Sequence, residues 1–476
     1  MTAETATRWR DLLAGGNLPR FLVIGFGVWL HAADTLLVAT VMPSAVAEIG
    51  GVAYISWAIS LYEVTSIVAM ASTGLLAAKL GLRSAMVSAA LVYATGCLAS
   101  ALAPDMAIML IGRALQGLGG GALVALSYIA VSQLFPERLM PRLLALVSAI
   151  WGVSALCGPL IGGIFASAGI WRGAFWAFSG QALLLALAAL LMLASARGGA
   201  AMGEGSRIPY RRLAVLALAV LAIAEAGARA SLFSSGLLGI AGVLLLALFF
   251  RLDGGAGERL LPRRPLDLRG ATGGGLVAVF ALAASTISFT TYGPLLMGLL
   301  HGADPLVGGY MVAIESASWS IAAVLFAGAG SAAEPRLIRI GALAIVGGLI
   351  GFGLTMPDGP LLALVPWAVL QGAGFGMAWA FIIRRVVAGS ADDDRERASG
   401  ALPTIQLLGY AIGSALSGLV ANGLGFADGV ALDEARLVAF WIFAAFLPLG
   451  LLGLLVAWRL SRFPAQSGSE GAARVP

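Results

Sequence analysis

Residues 106–132 read MAIMLIGRALQGLGGGALVALSYIAVS. One charge, Arg113, interrupts twenty-seven residues. At 1.5 Å rise per residue, a helix of that length is longer than the ~30 Å hydrocarbon core of a bilayer. The same texture runs through all 476 residues, 60% of them hydrophobic and 11% charged, with a mean hydropathy of +0.95. Soluble domains carry roughly 25% charged residues, so the polar coat of a water-facing globule is missing. The 64 glycines follow no three-residue period, which excludes collagen and suits helices packed closely in lipid. An all-α integral membrane protein is expected.

Moving outward from this stretch, runs of about 20 apolar residues fall at 21–43, 52–74, 84–103, 106–132, 142–168, 171–195, 212–229, 233–250, 272–299, 306–330, 337–356, 360–383, 399–422 and 435–458. That predicts fourteen transmembrane helices. The weakest is 212–229, where Glu225 and Arg229 close the apolar segment; a flat interfacial helix is its alternative, and those two residues stand i, i+4 as a local pair. Sorting the 29 basic residues by loop puts all but four on one side. Arg172, Arg229 and Arg436 fall on the other side, and Arg113 lies within the membrane. Basic loops stay in the cytoplasm, so both termini are expected there, in the plasma (inner) membrane of the cell. The polar start is read as a retained segment rather than a cleaved signal peptide.

The remaining counts exclude whole classes. A net charge of +5 has no soluble face on which to bind nucleic acid. The single lysine, Lys79, is followed by Leu80, so no phosphate-cradling loop exists. Cys97 and Cys157 both sit in apolar runs and support neither a disulfide framework nor a metal site. No Gly-x-Ser-x-Gly or His-Glu-x-x-His motif occurs, so no enzyme is expected.

The opening stretch also repeats. Leu115-Gln-Gly-Leu-Gly-Gly-Gly121 returns as Leu370-Gln-Gly-Ala-Gly-Phe-Gly376 at an offset of 255, and Gly158 and Gly163 return at that offset as Gly413 and Gly418. Duplicated halves are a mark of secondary transporters. The expected organisation is a cytoplasmic N-terminus (1–20), a six-helix bundle (21–195), an inserted two-helix hairpin with its flanks (196–271), a second, pseudo-symmetric six-helix bundle (272–460) and a cytoplasmic tail (461–476). Arg113 maps onto Ala368 and Pro159 onto Ser414, so the halves differ chemically.

Charges inside a bilayer are costly and mark pathways or pairs. Asp34, Glu63, Arg113 and Glu315 are the candidates, roughly 10–16 Å from the outer ends of their spans at 1.5 Å per residue. A carboxyl group set between dry surroundings, which disfavour its charge, and a guanidinium, which favours it, can load and release a proton. The alternative is a permanent structural pair. His31 shares a helix face with Asp34 and is either a proton relay or a packing residue. Trp57, Tyr62, Trp151, Trp319, Trp367, Trp379 and Tyr410, with Gln116, Gln371 and Gln406, are candidate cavity-wall residues. An aromatic wall suits an apolar substrate, cationic if the excess of acid over base is felt there.

Several local patterns resemble the major facilitator superfamily, in particular its 14-span drug–proton antiporters. Gly74-Leu-Leu-Ala-Ala-Lys79-Leu-Gly81-Leu-Arg83 is similar to the family's cytoplasmic loop signature, with Ala78 where an acidic residue is usual. Leu110-Ile-Gly-Arg113-Ala-Leu-Gln116-Gly117 resembles the span-4 motif, and Gly152 through Gly158-Pro159-Leu-Ile-Gly162-Gly163 the span-5 antiporter motif. Asp34-Thr-Leu-Leu-Val-Ala-Thr-Val-Met-Pro43 and Trp171-Arg-Gly-Ala-Phe-Trp176 are similar to the family's span-1 and span-6 patterns. The resemblance implies a proton-coupled exporter of small amphipathic or hydrophobic compounds, monomeric, working by alternating access with no cofactor but the proton gradient. Asp34 would carry the proton, Arg113 would tune it, and the span-5 glycines would limit leak. A carrier of one metabolite, lipid or siderophore is the alternative within transport, and a membrane scaffold or sensor the alternative outside it.

Overall fold

The computed structural model describes residues 17–193, 208–228, 232–428 and 432–463. Among them are fifteen α-helices and no strand: α1 (Asn17–Ile49), α2 (Ile55–Leu80), α3 (Leu82–Ala101), α4 (Met106–Leu134), α5 (Met140–Ser167), α6 (Arg172–Met192), α7 (Tyr210–Ala228), α8 (Leu232–Gly254), α9 (Ala271–His301), α10 (Pro305–Phe326), α11 (Glu334–Thr355), α12 (Val365–Ala388), α13 (Arg395–Gly423), α14 (Leu432–Ala444) and α15 (Leu447–Leu460). Thirteen helical stretches are long and apolar enough to cross a membrane, with α14 and α15 counted as one. The fourteenth, α7, carries Arg211, Arg212 and Glu225 within nineteen residues and packs lengthwise against α8, α13 and α2.

Boundaries follow local chemistry. Asp105 caps α4 by accepting from the Ile108 amide at 2.9 Å, and Asp304 caps α10 by accepting from Leu306 at 2.8 Å, each satisfying a donor the first turn leaves free. Gly81 alone separates α2 from α3, with φ 80°, a conformation that a β-carbon disfavours. Two boundaries differ from the sequence reading. The first helix begins at Asn17, inside the segment expected to be an extramembrane N-terminus. Span 14 is not one helix: it breaks between Ala444 and Leu447, because Pro448 at the start of α15 has no amide proton to continue the ladder.

Helices α1–α6 pack among themselves, as do α9–α15, and the repeated glycines sit at the same junctions in each set. A β-carbon at Gly117 would strike the Tyr62 carbonyl, and one at Gly372 the Glu315 carbonyl. Gly158 lies against Ala33 and Gly413 against Ala284 in the same way. Contacts between the sets gather toward the end that carries the α1–α2, α5–α6 and α9–α10 connections. There Gly309 packs on the Pro159 carbonyl and Gly163 on Leu306. Ser414 donates to the Ser56 carbonyl at 3.0 Å, and Asn422 to that of Ala53 at 2.9 Å.

The α7–α8 hairpin lies over the α2–α13 seam. Its exit is tied down by Asp253, which pairs with Arg212 at 2.6 Å and accepts from the Leu260 and Leu261 amides. Further along, the Arg263 amide donates to Asp394 at 2.6 Å. At the corresponding end of the second set, buried Glu334 pairs with Arg385 at 2.6 Å.

Candidate functional site

Three helices build a dry polar cluster. α1 brings His31 and Asp34, α2 brings Tyr62 and Glu63, and α4 brings Arg113 and Gln116; Asp34, Glu63, Arg113 and Gln116 are 0% exposed. Arg113 Nη1 meets Asp34 Oδ1 at 2.9 Å and also donates to Gln116 Oε1 at 3.0 Å. Its Nε donates to the Ala58 carbonyl at 3.1 Å, and the guanidinium lies 4.2 Å above the Tyr62 ring. Removal of two charges from water is expensive, and these added hydrogen bonds are what make a buried pair tenable. The close approach that brings Tyr62 beneath Arg113 depends on Gly117.

Support for the cluster extends outward. Gln116 is held by its own donation to Cys97 Sγ at 3.1 Å and by Ser100, which donates to its Oε1 at 3.2 Å. The Tyr62 hydroxyl bonds His31 Nδ1 at 2.9 Å, and the His31 ring meets Trp151 edge-on at 5.8 Å. Three groups of the cluster stand out for what they lack: neither carboxylate oxygen of Glu63 has a hydrogen-bond partner, nor does Asp34 Oδ2, nor Arg113 Nη2.

A second, more open cluster belongs to the other set. Glu315 of α10 accepts from Gln371 Nε2 at 2.6 Å. One turn on, Trp319 stacks on Phe375 at 4.7 Å and meets Trp379 edge-on at 6.2 Å. On α13, Gln406 donates to the Tyr410 hydroxyl at 2.9 Å. Glu315, Trp319, Trp379, Gln406 and Tyr410 are all partly exposed, as are Trp57 and Trp151 from the first set. Of the residues expected on a cavity wall, Tyr62 and Gln116 are therefore placed with Arg113 in the dry cluster, and Gln371 is buried behind Glu315. Trp367 packs against Gly351 of α11.

The span-5 motif lies between the clusters and the closed end. Gly162 abuts Leu37 and Thr40, and Thr40 donates to the Pro159 carbonyl at 3.1 Å. The Gly74–Arg83 segment is remote, at the turn between α2 and α3, with Lys79 and Ala78 exposed. Arg229, the expected partner of Glu225, lies outside the described residues. Sequence reasoning missed the Glu334–Arg385 pair; its signal was Arg384-Arg385 at the end of an otherwise apolar run. Among the described residues no group of His, Cys, Asp and Glu could hold a metal ion.

Residues 24–207 match the family model of the Major Facilitator Superfamily. The chain is 31% identical to a probable multidrug-efflux transporter of Mycobacterium tuberculosis strain H37Rv over 93% of its own length and 96% of the relative's. It is 30% identical to a multidrug transporter protein of Bacillus subtilis strain 168 over 37% and 31% of the respective chains. The fold is shared with a D-xylose–proton symporter (TM-score 0.62, 16% identity, 94% and 98% of the two chains). It is shared also with a peptide transporter solved with sulfate (TM-score 0.64, 16% identity, 93% and 95%). The chain belongs to the Major Facilitator Superfamily. It is a multi-pass membrane transporter and not an enzyme.

Proposed function

We propose that the protein uses the inward proton gradient to export small amphipathic or hydrophobic compounds from the cytoplasm by alternating access. The observation that carries this reading is the Arg113–Asp34 pair, 2.9 Å apart and fully buried. The names of its multidrug-efflux relatives support a small-molecule substrate. A proton on Asp34 removes one charge of the pair and breaks the ionic tie from Arg113 Nη1, which lets α1 shift relative to α4. Movement of one charge inward releases about 2.3 kcal/mol per 100 mV. The α1–α6 and α9–α15 sets would rock about the cavity, with Gly158, Gly162 and Gly163 keeping the closed end tight. The distribution of basic residues supports cytoplasmic termini, which makes that closed end the outer one. The gradient is the sole energy source, and a monomer suffices.

The test is drug-driven proton movement in proteoliposomes, with ethidium as the probe and Asp34→Asn and Arg113→Ala as variants. Both should lose coupled transport while still inserting. Full coupling in both variants would sink the assignment.

A further inference from the structure

We infer that Glu63 is a second proton-binding site, so that each cycle moves two protons with one guanidinium serving two carboxylates in turn. The inference rests on the proton-driven reading above and extends it to stoichiometry. Glu63 is 0% exposed, and neither of its oxygens has a donor. An ionised carboxylate cannot be held in such surroundings without a partner. Glu63 is therefore read as the neutral acid, while Asp34 keeps its contact with Arg113 at 2.9 Å.

The groups around Glu63 leave one place for its charge to go when the proton departs. α4 brings Arg113, and α1 brings Asp34 with His31, which is engaged with Tyr62. α13 brings Tyr410, which also feels the charge of Glu315 on α10. α7 offers the apolar Leu216, Val220 and Ile223 against Val64 and Ile67, its charges being Arg211 and Arg212 at its start and Glu225 near its end. α9 has no charged side chain but His301 at its end, and α3 none but Arg83 at its start. Arg113 is therefore the one cation in range, and its Nη2 has no acceptor here. Only proton transfers are needed. With Glu63 neutral, Asp34 takes up a proton while the cavity faces outward, and Nη1 loses its ionic partner. Once the cavity faces inward the two carboxyls release their protons in turn, Glu63 as Nη2 takes up its carboxylate and Asp34 as it returns to Nη1, so two protons cross. Both reload from the outer side, and Arg113 stays cationic throughout.

Two measurements on the full chain test this. The first is infrared difference spectroscopy of the detergent-solubilised protein between acid and alkaline pH, which needs no substrate. Among the carboxyl bands that vanish on titration, wild type should show two at the high frequency of dry groups, resolved from those of the other acidic residues by mutation. Glu63→Gln should remove one, Asp34→Asn the other, and Glu63→Asp should keep both. A Glu63 band that persists at every pH, or a spectrum unchanged by Glu63→Gln, overturns the inference. The second is ethidium export in proteoliposomes under an imposed pH difference with the membrane potential clamped at zero. Glu63→Gln should halve the proton-to-ethidium ratio and cut the sustained ethidium gradient to about its square root. An unchanged ratio overturns the inference. If wild type moves no protons against ethidium, the proposed function fails instead, while the infrared result still stands or falls alone.

Discussion

Two sets of helices share one scaffold and place different chemistry on it. Gly117 meets the carbonyl of Tyr62, and its counterpart Gly372 meets that of Glu315; Gly158 packs on Ala33, just before Asp34, and Gly413 packs on Ala284, just before Ser285. Arg113 and Gln116 correspond to Ala368 and Gln371. In the first set these positions make a sealed ionic cluster. In the second they leave a single carboxylate, answered by an amide, at the edge of an open aromatic wall. The glycines preserve the backbone contacts, while the side chains between them make one cluster dry and ionic and the other partly exposed and aromatic.

The sharpest way to break this comparison is Arg113→Ala, which gives the first set the residue the second already has. It leaves Asp34 buried without its cation, a change that costs about 3–5 kcal/mol in buried pairs, and it should abolish proton-coupled ethidium export. Thermal unfolding in detergent and proteoliposome transport check the two effects. Retained coupling would show that the sealed cluster is only structural.

The converse change belongs to the second set. Glu315→Gln removes a charge from a partly exposed site, where a charge-assisted bond contributes about 1.5–3 kcal/mol. The KM for the cationic probe ethidium should rise about ten- to a hundredfold, with the proton-to-substrate ratio unchanged. Loss of coupling at an unchanged KM would reverse the assignment of the two clusters.

Matched alanines at the shared scaffold should have matched costs. In both Gly117→Ala and Gly372→Ala the new β-carbon meets a backbone carbonyl of the neighbouring helix, so the helices must separate, at about 1–3 kcal/mol for overpacking. The functional signatures should diverge even so. Gly117→Ala moves Tyr62 from beneath Arg113 and should lower coupling, whereas Gly372→Ala moves Glu315 and should raise KM. Parallel unfolding and transport measurements separate these outcomes, and identical kinetic defects would refute the division.

Much of this was legible in the residues because a bilayer makes charge expensive. Asp34, Glu63, Arg113 and Glu315 stand out in apolar runs, and the offset of 255 between Gly117 and Gly372 declares the duplication. What stayed hidden was contact across the fold. Asp34 and Arg113 are 79 positions apart, and helical periodicity assigns faces without saying which neighbour each face meets. For the same reason Tyr62 and Gln116 read as wall residues until packing placed them against the guanidinium. Glu334 and Arg385 looked like ordinary loop charges because helix ends are where solvated charges belong. Only the packing of α11, α12 and α15 around them shows that they are buried. The break before α15 was similarly masked, since an apolar run continues across Pro448 while the hydrogen-bond ladder does not.

The smallest expected effect isolates the scaffold from the clusters. Gly180 lies mid-helix on the exposed face of α6, and a β-carbon there would meet nothing within 4 Å; Gly400 on α13 is likewise open. If glycine content served only helix flexibility, alanine at Gly180 and at Gly117 would have similar consequences. If it serves close approach, Gly180→Ala relieves the unfavourable helix propensity of glycine and should stabilise by up to about 1 kcal/mol, with coupling and KM for ethidium both unchanged. Thermal unfolding of Gly180→Ala beside Gly117→Ala decides between the two. A shift of opposite sign in the pair assigns the shared glycines to helix contact, and a common loss of stability would mean that the repeated motif is conserved between the sets for flexibility rather than for packing.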